Sequence, residues 1–392
     1  REDPRMDLID VTDELPVELA FLLACARLTM SAEEVDAARE MLLEHRETFD
    51  WGLFLDQCSR HKVVEMVFRN LFRSGIADER VDRVALIPVP HRRLMEAAYA
   101  ANKVRNAAMV DELDELVAGL EGAGLRVASR KGPYLARYVY GDMALRPMLD
   151  LDFLIERSEA KALGPVMESL GYGQGNIGPL GRVVEPWSAA AIKVYLLTLP
   201  NLPSYVRPLG LPNLGEIEVD FVTSLFARST GFSIDTTGLL DRAQRVRVGA
   251  NEVSVLSDED YLIDLCAHLY KEAKSFFYIE LEKDLTLLKF CDVAEYLRFT
   301  SGTLSVPTFL DRVRENGIEV PMFFTLYLTS LIYPGTVPQV LLDSLWQDDA
   351  DVLHTFGELD RQPAAWLGPL ARRLFSSARV WHAGGRSRLP RH

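Results

Sequence analysis

The chain has 392 residues and a formal net charge of −14. That acidity excludes a general binder of duplex DNA, whose counterion release requires a basic face. Its content of 48% hydrophobic and 26% charged residues is globular, which excludes disorder, collagen and a long coiled coil as overall descriptions. A nucleotide ligand stays open, because a metal ion and a few cations can meet its phosphates.

In chain order, residues 1–121 read as an N-terminal helical region. Val17, Leu19, Leu22, Leu23 and Ala26 give a predicted helix over Pro16–Leu28 a broad apolar face. Ser31-Ala-Glu-Glu34 is a capping box that opens a second helix through His45. Trp51, Phe54, Leu55 and Cys58 start a third helix, and Val63, Val64, Met66, Val67 and Leu71 a fourth. Ile87-Pro-Val-Pro90 breaks the pattern. A long helix is predicted from His91 to Gly122, where Gly122 and Gly124 stop it.

From 122 to 256 the period changes, and the segment reads as a compact core of strands and helices. Leu125–Ser129 is a short predicted strand, Gly132–Tyr140 a short helix and Met148–Ile155 a strong strand. Ala160–Leu170 is a helix ended by Gly171. Residues 173–215 are rich in Gly, Pro and Asn and hold a middle strand or two, with Ala189–Leu199 as one candidate. Gly215–Thr223 alternates as a strand, and Val246–Leu256 reads as a hairpin around Gly249. Residues 257–383 return to helix, opened by Ser257 as N-cap with acids in the first turn. Residues 384–392 read as a disordered tail. The layout is an α+β core flanked by helical regions.

Cys25, Cys58, Cys266 and Cys291 lie far apart in apolar helical patterns and read as buried thiols. They form no Cys-x-x-Cys pair that would suggest zinc. Thiols of this kind fit a reducing cytoplasm, and Arg1–Arg5 lacks the apolar segment of a signal peptide. Val320–Leu342 is uncharged, but Pro321, Pro334 and Pro338 leave about 12 continuous helical residues against the roughly 20 a bilayer requires. A buried core helix is expected there, and no membrane partner.

The chemistry concentrates in Arg130-Lys131-Gly132-Pro133 and Arg146-Pro-Met-Leu-Asp150-Leu-Asp152-Phe-Leu-Ile155. Asp150 and Asp152 are two apart in a strand, so both carboxylates share a face. Two acids in an otherwise apolar strand are costly unless something pairs with them, and Mg²⁺ prefers carboxylate oxygen. Glu216-Ile-Glu-Val-Asp220 supplies a third acid, either Asp220 or Glu218, from another strand. Three carboxylates on two strands suit two Mg²⁺ ions about 3.5–4 Å apart, the arrangement of in-line phosphoryl displacement. The glycine after Lys131 lets phosphate approach backbone N–H groups, and Arg130, Lys131 and Arg146 can offset its charge. A lone Asp-x-Asp is commonly a solvated strand end. The sequence of strand, glycine turn, helix, Arg-Pro, acidic strand and later acid carries the reading.

Lys131-Gly and Arg146-Pro-Met-x-Asp150-x-Asp152-Phe-Leu-Ile resemble the signature of the bacterial uncharacterised nucleotidyltransferase family, within the polymerase-beta-like superfamily. Asp50-Trp51, His61-Lys-Val, Leu256-Ser-Asp-Glu-Asp260, Cys266-Ala-His268-Leu and Leu287-Leu-Lys-Phe-Cys-Asp292 also look like its landmarks. The resemblance covers roughly residues 15–300. It implies a polymerase-beta-like core over 122–256, with a small mixed sheet and flanking helices. It implies that Asp150, Asp152 and Asp220 are catalytic metal ligands, with Lys131 and Gly132 at the phosphate-facing turn. Val222-Thr223 stand where the family often has His-Trp.

His268 and Lys271 are further candidates for contact with acceptor or phosphate, set against a buried hydrogen bond for His268 and a solvated face for Lys271 and Lys274. His61 is expected to pack, and Asp292 and Glu295 to cap or pair. Trp187, Tyr195, Tyr205 and Arg207 either shape an acceptor pocket or pack a loop.

The expectation is a cytoplasmic, Mg²⁺-dependent nucleotidyltransferase holding one or two ions, with Mn²⁺ as a substitute. It would move a nucleoside monophosphate from an NTP such as ATP to a small-molecule or peptide acceptor and release pyrophosphate, a reaction suited to specialised-metabolite biosynthesis. Nucleotidylation of a protein or RNA, as by an AMPylator or toxin, and a non-catalytic nucleotide-binding module are the alternatives. Oligomeric state is left open.

Overall fold

The computed structural model describes residues 15–177, 184–190, 192–193, 201–211, 214–226, 230–347, 350–357, 363–366 and 370–375. It is a mixed α+β fold in which helices precede and follow a mixed sheet. The described residues fall in two compact units. One is drawn from 1–100, 268–298 and 320–392, the other from 101–267 and 299–319.

The first unit is mainly helical, with two short antiparallel ladders, and its helix ends are set by local chemistry. The helix Ala32–His45 starts at the expected capping box: Glu34 N–H donates to Ser31 Oγ, and Ser31 N–H donates to Glu34 Oε2 at 2.7 Å. Asp50 caps Trp51–Arg60 by accepting from Gly52 and Leu53 N–H. Carbonyls left over at the end of Val17–Cys25 are met from elsewhere in the unit. Asn70 donates to Cys25 O and Arg27 O, and Tyr333 donates to Ala26 O. Phe21, Phe49, Trp51 and Phe54 pack ring against ring nearby. The uncharged stretch becomes the helix Glu319–Ile332, buried through Phe323, Phe324, Leu326 and Leu328. Among the described residues no helix is long and apolar enough to cross a membrane. All four cysteines are buried free thiols, and burial pushes Cys25 up to about 12.

Two expectations are corrected. Lys274 does not lie on a solvated face: it is fully buried and donates to Val352 O, Thr355 O and Thr355 Oγ1 at 2.5, 2.6 and 3.0 Å. The helix Asp258–Ala273 ends one residue earlier, so the spacing that grouped Lys274 with Lys271 no longer applies. Residues 189–190 and 192–193 are helical rather than extended, with Ile192 N–H donating to Ser188 O. Three consecutive alanines after Ser188 favour that turn. The remainder of the Ala189–Leu199 candidate, and the 384–392 tail, lie outside the described residues.

The second unit carries the sheet. Its strands are β1 (Val127–Arg130), β2 (Asp150–Ile155), β3 (Gly173–Ile177), β4 (Val184–Pro186), β5 (Tyr205–Leu211), β6 (Leu214–Val222), β7 (Gln244–Arg247) and β8 (Glu252–Val255). They lie in the order β4-β3-β5-β6-β2-β1-β8-β7. β2 runs antiparallel to β1 and parallel to β6. Its odd-numbered residues, Leu151 and Phe153, point into the core, and Phe153 stacks on Phe221 of β6 at 5.4 Å. The long helix Val89–Gly122 sets the approach to β2. Asn102 Nδ2 donates to Ala144 O, and Asn106 Nδ2 donates to Met143 O and Arg146 O. Further along, Asp114 accepts from Ala250 and Asn251 N–H and fixes the β7–β8 turn.

Candidate active site

Alternation in β2 puts Asp150 and Asp152 on the face opposite Leu151 and Phe153. The parallel register places Glu218 beside Asp150 and Asp220 beside Asp152. One oxygen from each of Asp150, Asp152 and Asp220 lies within 4.8 Å of the others, and all three residues are half-buried. The group that meets this spacing includes Asp220 and not Glu218, which is exposed but still acts on Asp220 through its charge.

The electrostatics follow from that crowding. Burial first, then the neighbouring Asp152 carboxylate, pushes Asp220 up from its ordinary 3.8 to about 6. Ser204, which precedes β5, opposes the rise by donating from Oγ to Asp220 Oδ1 at 2.5 Å. Burial and the neighbouring carboxylates outweigh the charge that Lys131 brings to Asp220. Oxygen-rich, partly buried and negative, the site fits a hard divalent cation.

The local cation is Lys131. Its Nζ lies 3.2 Å from Asp152 Oδ2. The residue has φ +49° and ψ −102°, a backbone that non-glycine residues avoid. Gly132 follows because space beside it is short: a Cβ there would stand 3.0 Å from Met148 Sδ and 3.6 Å from Arg146 Nη1. The chain then makes one α-turn, Gly132–Tyr134, and a π-turn, Leu135–Val139, where a short helix was predicted.

The other expected residues divide. Arg146 is buried next to Gly132. Arg130 is buried too. Its Nε donates to Asp264 Oδ2 at 3.0 Å, Nη2 pairs with Asp264 Oδ1, and Nη1 is 4.0 Å from Asp152. Burial would lower its pKa, but the Asp264 and Asp152 charges outweigh it and hold the guanidinium above its ordinary value. His268 and Lys271 belong to the helical unit, where His268 Nε2 is 3.4 Å from Glu272 and Lys271 lies over the Tyr278 ring. His61 is fully buried there, accepts Leu287 N–H at Nδ1 and packs edge-on with Phe375. Glu295 is buried and accepts from Arg298. Arg207 pairs with Glu112 and Glu115 and covers the Tyr172 ring, while Tyr205 packs against Phe221. Tyr195 lies outside the described residues.

Ser204, Tyr261 and Asp264 escaped the sequence reading. Tyr261 and Asp264 did leave a signal: two polar groups three apart in the otherwise apolar run Tyr261–Ala267, on one helix face. Ser204 left none, because it reaches Asp220 only through strand pairing.

The model of the family described as uncharacterised nucleotidyltransferase matches residues 47–334. The chain belongs to that family. Among curated proteins no match is found. The matched span of this nucleotidyltransferase includes the whole sheet and all three clustered acids, and the acid triad fits nucleotidyl transfer. A cluster of this kind could bind a divalent metal, and the family implies an NTP substrate.

Proposed function

We propose that this nucleotidyltransferase transfers a nucleoside monophosphate from an NTP such as ATP to a small-molecule or peptide acceptor and releases pyrophosphate. The observation that carries the reading is the convergence of Asp150, Asp152 and Asp220 within 4.8 Å. These three residues would hold one or two Mg²⁺. When bound, the ions would offset charge developing on the attacking and leaving oxygens.

The chain's own residues supply the rest. Lys131 brings an ammonium to the edge of the acid cluster, where a triphosphate would meet it. Gly132 lets Met148 and Arg146 pack against the turn, and Arg146 adds charge beside it. Ser204 fixes the Asp220 carboxylate. The net charge of −14 favours a small acceptor over RNA. Four buried free thiols support a reducing, cytoplasmic setting.

The test is pyrophosphate release from each of four NTPs with Mg²⁺, with a small-molecule cell extract supplying the acceptor, in wild type and in Asp152→Asn. The expected result is metal-dependent release that falls by at least ~10³-fold in the variant while its melting temperature is kept. Undiminished metal-dependent release from Asp152→Asn would overturn the assignment.

A further inference from the structure

Lys131 holds a costly backbone, and such conformations persist only where the surroundings over-determine them. Two side chains of the helix Asp258–Ala273 do so. Tyr261 donates its hydroxyl to Lys131 O at 2.8 Å, and Asp264 takes the Arg130 guanidinium in a two-pronged pair. Both are fully buried. Three residues apart, they share one helix face and act on two successive residues of the turn. The helix is itself tied to the turn, because it starts three residues after Val255, which pairs with Ser129 of β1.

We propose that Tyr261 and Asp264 are positioning residues for the nucleotide, gripping the Arg130–Lys131 turn so that the Lys131 ammonium faces the acid cluster. The inference rests on the functional reading above. Burying a phenol hydroxyl and a carboxylate is unfavourable unless each is paired, and here both partners belong to the turn. Asp264 has a second effect. Arg130 Nη1 stands 4.0 Å from Asp152, but its two hydrogen bonds go to Asp264, which draws the guanidinium away from the acid cluster. Arg130 spends its Nε and Nη2 on Asp264, so its part is to anchor the turn, while the Lys131 ammonium is the one directed at Asp152.

The two grips separate by experiment on the full chain. Mn²⁺ alone is titrated by electron paramagnetic resonance, and an NTP analogue with a non-transferable α,β-methylene bridge is titrated by calorimetry. Tyr261→Phe keeps the ring and removes the hydroxyl. It is expected to weaken the analogue roughly tenfold and leave Mn²⁺ affinity and melting temperature near wild type. Asp264→Asn releases Arg130 toward Asp152 and is expected to weaken Mn²⁺ itself severalfold. Unchanged analogue affinity in Tyr261→Phe overturns the proposal. So does a parallel fall of analogue affinity, Mn²⁺ affinity and melting temperature in that variant, the mark of a merely structural role. A wild-type chain that binds neither probe overturns the functional reading and this inference with it, an outcome distinct from the other two.

Discussion

The ammonium of Lys131 stands 3.2 Å from the carboxylate of Asp152, although the two residues lie 21 positions apart. A lysine on strained backbone thus shares an acid with the proposed cation site. Removing its charge should act in opposite directions on the two ligands. Lys131→Met is expected to bind Mn²⁺ more tightly, because a competing cation is gone. It should bind an NTP analogue about tenfold more weakly, because a charge-assisted contact to phosphate is lost. Calorimetry with each ligand checks both signs.

Ser204 donates to Asp220 and holds its pKa down. In Ser204→Ala the Asp220 carboxyl should therefore rise further above about 6. The Mg²⁺ concentration needed for half-maximal turnover is expected to increase severalfold, and the acid limb of the pH profile to move to higher pH. A profile that superimposes on wild type would remove Ser204 from the site.

Without a divalent cation, Asp220 should make stability fall as pH rises. Its folded pKa of about 6 exceeds its ordinary 3.8, so the folded chain binds this proton more tightly than the unfolded one. Stability from this group is full below about 4 and is lost by about 6. Relative to wild type, Asp220→Asn should gain melting temperature across that window. The gain should vanish when Mg²⁺ is saturating. Asp284 is raised in the same direction by burial, so the difference between the two proteins, and not the wild-type curve alone, isolates Asp220.

His61 has the opposite sign. Burial first, and then the Arg60 charge, lowers it from 6.5 to about 3. The unfolded chain takes up this proton and the folded chain does not, so stability is present above about 6.5 and is lost as pH falls toward 3. His61→Gln is expected to flatten melting temperature against pH in that range. At pH 7 it should cost about 1 kcal/mol if the Leu287 N–H loses its acceptor. Thermal melts from pH 4 to 8 decide it.

Much of the local structure was legible because its causes are local. Ser31 and Glu34 cap each other across three residues, Gly122 and Gly124 end the long helix, and β2 and β6 appear within two residues of where alternation placed them. Where a cause lay outside the window, the reading missed. Lys274 looks like a surface lysine until Val352 and Thr355 supply acceptors from 78 and 81 residues away.

The sequence by itself determined the acids. A period of two puts Asp150 and Asp152 on one face whatever surrounds them, and the same rule pairs Glu218 with Asp220 on another strand. Only the tertiary structure decided how the two strands meet. The parallel register sets Asp220 beside Asp152, and the three-acid group within 4.8 Å contains Asp220 rather than Glu218. It also decided which acid each basic residue meets. Arg130 and Lys131 are adjacent in sequence and carry the same charge. Yet one is turned inward onto a buried aspartate and the other toward the acid cluster, and the groups that meet them include a tyrosine and an aspartate on a helix 130 residues later, which no local pattern could bring there.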